Sequence, residues 1–172
     1  MIFQANPLPP LSGNEQVQQD QSWMQEALLL AKQAYSKDEV PVGAIVVRDN
    51  HIIGRGFNQT ISHCDPTAHA EIIALRDAAQ TIRNYRLLDT TLYVTLEPCT
   101  MCAAALVHAR IKRLVFGAAD AKAGAVISQA HVLDYPFFNH HLPYTGHILS
   151  PESGLLLKSF FQSKRLPARE PV

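Results

Sequence analysis

The chain has no surplus of charge of either sign: fifteen Lys and Arg stand against fifteen Asp and Glu in 172 residues, a formal net charge of zero. Coating nucleic acid by bulk charge needs a large basic excess, so that class is excluded, although a local basic patch is not. No window approaches ~18 consecutive apolar residues, so no transmembrane helix is expected. The start, Met1-Ile2-Phe3-Gln4-Ala5-Asn6-Pro7, lacks the basic and long apolar stretches of a secretory leader, and none is expected. Cysteine is scarce too. Three residues make an odd count, and two of them, Cys99 and Cys102, form a C-x-x-C that suits metal or redox chemistry in a reducing compartment better than a disulfide framework. A cytoplasmic location is the expectation.

Hydrophobic residues make up 47% and charged residues 17%, enough apolar material for one packed domain and no case for global disorder. Residues 1–21, rich in proline and glutamine, are expected to be a flexible N-terminal extension. Order is expected from Ser22, an N-cap with Gln25 as its capping-box partner. Trp23, Ala27, Leu30, Ala31 and Ala34 then give one buried helical stripe up to Ser36-Lys37-Asp38. Strand-like runs at 42–48 and 51–58 flank Asp49-Asn50, a turn pair that tolerates positive φ. Asp65-Pro66 predicts the cap and first position of a second helix, with Ala68, Ile72, Leu75 and Ala79 on its apolar face. Strands at 91–96 and 112–117 bracket a helix at 99–109. A short helix near 128–134, a strand near 144–149 and a last helix from Ser150 to Arg165 complete the reading, with residues 167–172 as a frayed tail. Helices alternating with strands after an opening hairpin predict a mixed sheet covered by helices.

Two segments about thirty residues apart carry the chemistry. His69-Ala70-Glu71 stands at the start of the second helix, and Pro98-Cys99-Thr100-Met101-Cys102 opens the third. Cysteines at i and i+3 share a helix face, so two thiolates and an imidazole can meet one metal, and that donor set suits zinc. Three protein ligands leave a position open, where zinc can lower the pKa of a water to about 7. Glu71 then has a task as proton shuttle. On an ideal helix His69 and Glu71 point about 200° apart, so they converge only on a metal beyond the helix end. Alternatives remain at this level. Cys64 could close the zinc into a structural site, a lone C-x-x-C also occurs in redox proteins, and His63, His108, His140 and His141 are further candidate ligands. The structural reading leaves Glu71 idle, and the redox reading leaves His69 and Glu71 both unexplained.

H-x-E followed by P-C-x-x-C is the known signature of the zinc nucleobase deaminases. Within that superfamily the chain resembles the bacterial tRNA-specific adenosine deaminases. The likeness rests on Val40-Pro41-Val42-Gly43-Ala44, Asp65-Pro66-Thr67-Ala68-His69-Ala70-Glu71, Asn84-Tyr85-Arg86-Leu87 and Thr91-Leu92-Tyr93-Val94-Thr95-Leu96-Glu97-Pro98-Cys99. It continues in Phe116-Gly117-Ala118, Asp120-Ala121-Lys122, Phe160-Phe161 and Lys164-Arg165, over roughly residues 22–166. The resemblance implies an α/β fold, a three-layer α/β/α cytidine-deaminase-like domain at 22–166 with a mixed sheet of about five strands. It also implies a homodimer and hydrolytic conversion of adenosine to inosine at the wobble position of a tRNA anticodon. By that likeness His69, Cys99 and Cys102 hold one zinc, activated water attacks C6 with Glu71 carrying the proton to the ring nitrogen, and ammonia leaves.

Substrate contacts follow from the same resemblance. Asn58 matches a family asparagine that touches the flipped nucleoside, and backbone groups at Ala70 and Leu96 are expected to read the base edge. Without the likeness, Asn58 reads as a strand-end turn residue. Asp120 and Lys122 are expected at the rim. Phe161, Lys164 and Arg165 offer stacking and phosphate contacts, with Phe160 turned inward. Ala119 departs from the family, where many relatives carry Arg, and Cys64 replaces a commoner non-thiol residue. The rival readings are a free nucleobase or nucleoside deaminase on the same site, and a non-catalytic RNA-binding protein with a structural zinc.

Overall fold

The computed structural model of the chain describes residues 13–165. Helix α1 (Gly13–Ser36) precedes a hairpin of β1 (Gly43–Arg48) and β2 (His51–Phe57). Then follow α2 (Ala70–Ile82), β3 (Thr91–Leu96), α3 (Thr100–His108) and β4 (Arg113–Ala118). A single 3-10 turn (Val132–Asp134), β5 (Tyr144–Thr145) and α4 (Ser150–Arg165) end the described chain. The sheet order is β2-β1-β3-β4-β5. Strand β1 runs antiparallel to β2 and β3, whereas β3, β4 and β5 are parallel.

Side chains alternate between the two faces of this sheet, as the period of two in a strand requires. Ala44, Val46, Leu92, Val94, Leu114 and Phe116 pack toward α2 and α3 with Ala74, Leu75, Ala103 and Leu106. Ile45, Val47, Tyr93 and Val115 face the other way, against Met24 and Ala27 of α1. Burial on both faces explains why β1, β3 and β4 read as continuous apolar runs. The result is the expected three-layer α/β/α arrangement with a mixed sheet of five strands.

Asp49 and Asn50 both take positive φ, 49° and 60°, so the hairpin closes as the pair predicts. Three expectations need correction. Helix α1 starts at Gly13 rather than Ser22, so residues 13–21 are helical and not part of a flexible extension. The reason is tertiary: Asp20 is buried beneath Arg113 and Tyr93, contacts no local pattern announces. Helix α2 begins at Ala70 rather than at Pro66, because the Asp65 carboxylate accepts from the Thr67 N–H at 2.8 Å and the Thr67 hydroxyl at 2.7 Å, closing a turn instead. The late strand stops at Thr145, because His147 and Leu149 sit in the left-handed region at φ 67° and 52°. The remainder of the expected extension and the expected tail at 167–172 lie outside the described residues.

Candidate active site

Close packing of helix on strand places the first half of the site. A Cβ at Gly54 would lie 2.4 Å from the Ala74 carbonyl oxygen, and one at Gly56 would lie 2.2 Å from that of Ala70. Only glycine allows β2 this near to α2, whose facing residues Ala70, Ala74 and Ala78 are small and buried. Asn58, just past β2, extends the clamp: its Oδ1 accepts the Ala70 N–H at 2.9 Å, satisfying a donor that the helix start leaves open. His69 is therefore the N-cap of α2, in extended conformation, and lies outside the helix that carries Glu71. That resolves the helical-wheel conflict between the two side chains.

Cys99 is likewise the N-cap of α3, and Cys102 lies in its first turn. The Nδ1 of His69 is 3.7 Å from Cys99 Sγ and 3.6 Å from Cys102 Sγ. All three candidate ligand atoms lie within 4.8 Å of one another. Zinc bonds of ~2.3 Å to sulfur and ~2.0 Å to nitrogen at tetrahedral angles require N···S separations of about 3.5 Å, close to those found, so the residues fit that ion. With Nδ1 on a metal held between the two sulfurs, the ring proton would sit on Nε2.

The electrostatics also call for a cation. The Cys102 thiol donating to Cys99, together with His69, lowers the Cys99 pKa to about 4. Cys99 beside it and burial push the Cys102 thiol up, so the second thiolate is costly until a positive ion lies between them. The hydrogen bond to Cys99 raises the His69 pKa. Glu71 is 4% exposed, and burial pushes its carboxyl up to about 7. Proximity to the Cys99 thiolate contributes to that rise, while its hydrogen bond with the Cys102 thiol works the other way. A carboxyl poised near neutrality, beside three metal-binding atoms, can both take and return a proton.

The other expected residues divide. Asn58 and Ala70 meet at the start of α2, and Leu96 ends β3, two residues before Pro98. The Asp120 carboxylate accepts the N–H groups of Lys122 and Ala123, leaving the Lys122 side chain exposed. On α4, Phe160 is buried and Phe161 is 45% exposed. Lys164 pairs with Asp38 and lies over the Phe160 ring, whereas Arg165 is exposed. Cys64 is exposed and takes no part in the ligand group. His63, His108, His140 and His141 are also outside it, and the His140 ring bonds the Ile111 carbonyl oxygen at 2.7 Å.

Around the site, sequence reasoning missed two buried carboxylates. Glu39 accepts the N–H groups of Ile61 and Ser62 and the Thr60 hydroxyl, holding the loop between Asn58 and His69. Glu97 accepts backbone N–H groups from Asp120 and from Val126, Ile127 and Ser128. Burial raises the carboxyl pKa of both, but these donors outweigh it and hold each below the usual carboxylate range. The available signal was an acid embedded in an apolar stretch, as in Glu39-Val40-Pro41-Val42 and Leu96-Glu97-Pro98.

Comparison with known proteins agrees with this geometry. The family model of the cytidine and deoxycytidylate deaminase zinc-binding region matches residues 17–118. A tRNA-specific adenosine deaminase of Haemophilus influenzae is 55% identical over 147 residues, covering 85% of each chain. One of Buchnera aphidicola is 47% identical over 148 residues, covering 85% of this chain and 96% of its own. A solved structure from studies of A-to-I editing by tRNA:A34 deaminases at the wobble position superposes with a TM-score of 0.77 at 44% identity, covering 79% of this chain and 99% of that one.

Proposed function

The chain belongs to the cytidine and deoxycytidylate deaminase zinc-binding family and, within it, to the tRNA-specific adenosine deaminases, and from that premise we propose that it converts adenosine to inosine at position 34 of a tRNA anticodon. It is a zinc-dependent hydrolase with one ion per chain, held by His69, Cys99 and Cys102. The observation that carries the reading is the buried Glu71 carboxyl beside this three-ligand group. A site closed by four protein ligands would leave such a carboxyl without work.

Zinc, when bound, supplies Lewis-acid activation of water for attack on C6 of the base. Glu71 takes the proton that water releases and delivers it to the ring nitrogen, and its burial favours holding that proton in transit. Asn58 holds the first N–H of α2 with its oxygen and offers its amide nitrogen to the flipped nucleoside. Backbone groups at Ala70 and Leu96 line the base edge. Asp120 and Lys122 form the rim, and Phe161, Lys164 and Arg165 meet flanking nucleotides through stacking and charge. The exposed Phe161 ring supports that assignment, while the Asp38 partner of Lys164 leaves Arg165 as the more available cation. A homodimer working in the cytoplasm completes the reading. No helix among the described residues is long and apolar enough to cross a membrane.

The test is inosine formation in a tRNA bearing adenosine 34, with Glu71→Ala and with free adenine, cytosine and guanine run in parallel. Inosine in the RNA, lost in the variant and with no base deaminated, is the expected result. Turnover of a free base with silence on the tRNA would assign the site to a nucleobase deaminase instead.

A further inference from the structure

Residues 120–128 form no helix or strand, yet this loop has a defined shape imposed from below by one side chain. Glu97 is 2% exposed. Its Oε1 accepts the N–H groups of Val126, Ile127 and Ser128 at 3.0, 2.8 and 3.0 Å. Its Oε2 accepts the Asp120 N–H at 3.0 Å and the Ser128 hydroxyl. The fit has no slack: a Cβ at Gly124 would lie 2.3 Å from that Oε2. Five donors converging on two oxygens need a group that only accepts, which a carboxylate is and an amide is not.

The same side chain is anchored at the metal-binding turn. Glu97 stands at the end of β3, its own N–H bonded to the Ala118 carbonyl oxygen at 2.8 Å, and Pro98 follows with Cys99. Pro98 in turn accepts the Ala125 N–H at 2.8 Å. Within the loop, Asp120 relays the order onward by accepting from Lys122 and Ala123. One carboxylate thus couples the turn that carries a zinc ligand to the loop that carries two rim residues.

We propose that Glu97 is a positioning residue for the tRNA reaction, which fixes loop 120–128 against the Cys99 turn so that Asp120 and Lys122 stand in place for the nucleotides flanking the target adenosine. This rests on the assignment of tRNA as substrate. A loop preorganised in this way spares the enzyme the ordering cost at the moment of RNA binding, so its loss is read in KM before kcat.

The experiment compares Glu97→Gln and Gly124→Ala with the wild type on an anticodon stem-loop bearing adenosine 34. The first variant puts an amide donor against donors. The second leaves the carboxylate intact and crowds both it and the Asp120 carbonyl oxygen, which the new Cβ would meet at 2.6 Å. For both, KM rises about tenfold while kcat stays within about threefold, as the loss of a charge-assisted hydrogen bond used for positioning predicts. Zinc content stays at one per chain, and amide exchange accelerates over 120–128 but not in α2 or β3. Ser128→Ala, which removes only the hydroxyl, moves in the same direction with smaller amplitude. Unchanged KM and unchanged loop exchange in all three variants overturn the proposal. Loss of zinc or of kcat alone overturns it as well, assigning Glu97 to the metal turn. A wild-type enzyme that makes no inosine in this RNA overturns instead the substrate assignment, whatever the exchange shows.

Discussion

Arg113 clasps Asp20 across 93 positions of sequence, Nη1 to Oδ1 at 2.9 Å and Nη2 to Oδ2 at 2.7 Å. Tyr93 donates its hydroxyl to the same Asp20 Oδ1 at 2.9 Å, and Arg113 also reaches the Thr145 hydroxyl at 2.9 Å. Helix α1 is therefore tied to β3, β4 and β5 through one carboxylate that is 1% exposed.

Removing that carboxylate strands the guanidinium and the phenol. Asp20→Ala is expected to cost about 3–5 kcal/mol of stability, the usual result of breaking a buried pair from one side. In a chain of this size that is a fall in Tm of roughly 10 °C. Urea unfolding of the two proteins checks it, and a loss below about 1 kcal/mol would mean that solvent already carries the pair.

What the sequence made legible follows from which interactions are local. The Asp49-Asn50 turn, the strand at 91–96 and the helix from Ser150 to Arg165 are set by turn chemistry, period and capping within a few residues, and they appear where expected. The grouping of His69, Cys99 and Cys102 was legible because metal chemistry restricts residue type and spacing, and the fold brings these three together. The start of α1 was not, since Asp20 is held by residues from distant strands. Nor was the role of Glu97, whose five donors lie 23 to 31 positions further on. The onset of α2 was misread because Asp65 has two uses for its oxygen, and Thr67 takes the one that delays the helix.

In the proposed reaction Glu71 carries the proton, and it lies outside the His69, Cys99 and Cys102 group. Glu71→Gln keeps the size of the side chain but cannot accept the proton. Single-turnover deamination is expected to fall by ~10²–10⁴-fold with zinc content unchanged. Loss of the metal in this variant would make the carboxyl a ligand rather than a shuttle.

Cys102 and Cys64 are expected to separate cleanly. Cys102→Ala removes a buried member of the proposed ligand group and is expected to abolish both zinc binding and turnover, whereas Cys64→Ser retains both, because Cys64 is exposed and outside that group. Chelator titration with metal analysis reads the difference. Zinc lost from the Cys64 variant would revive the structural-site reading.

Glu39 supplies a pH test away from the metal. It is fully buried, and burial alone would raise its carboxyl pKa, but the Ser62 and Ile61 N–H groups and the Ser62 and Thr60 side chains outweigh that and lower it. A carboxyl held below its unfolded value of about 4.3 adds stability that is complete above that value. The increment is lost as pH falls toward the folded value, because the unfolded chain then binds the proton first. Glu39→Gln has no such increment to lose. The wild type is therefore expected to be more stable than Glu39→Gln at pH 7, with the gap narrowing as the pH drops through about 4. Urea unfolding of both proteins at neutral and acid pH measures the gap. An equal difference at the two pH values would mean that the loop at 60–62 binds the side chain without regard to its charge.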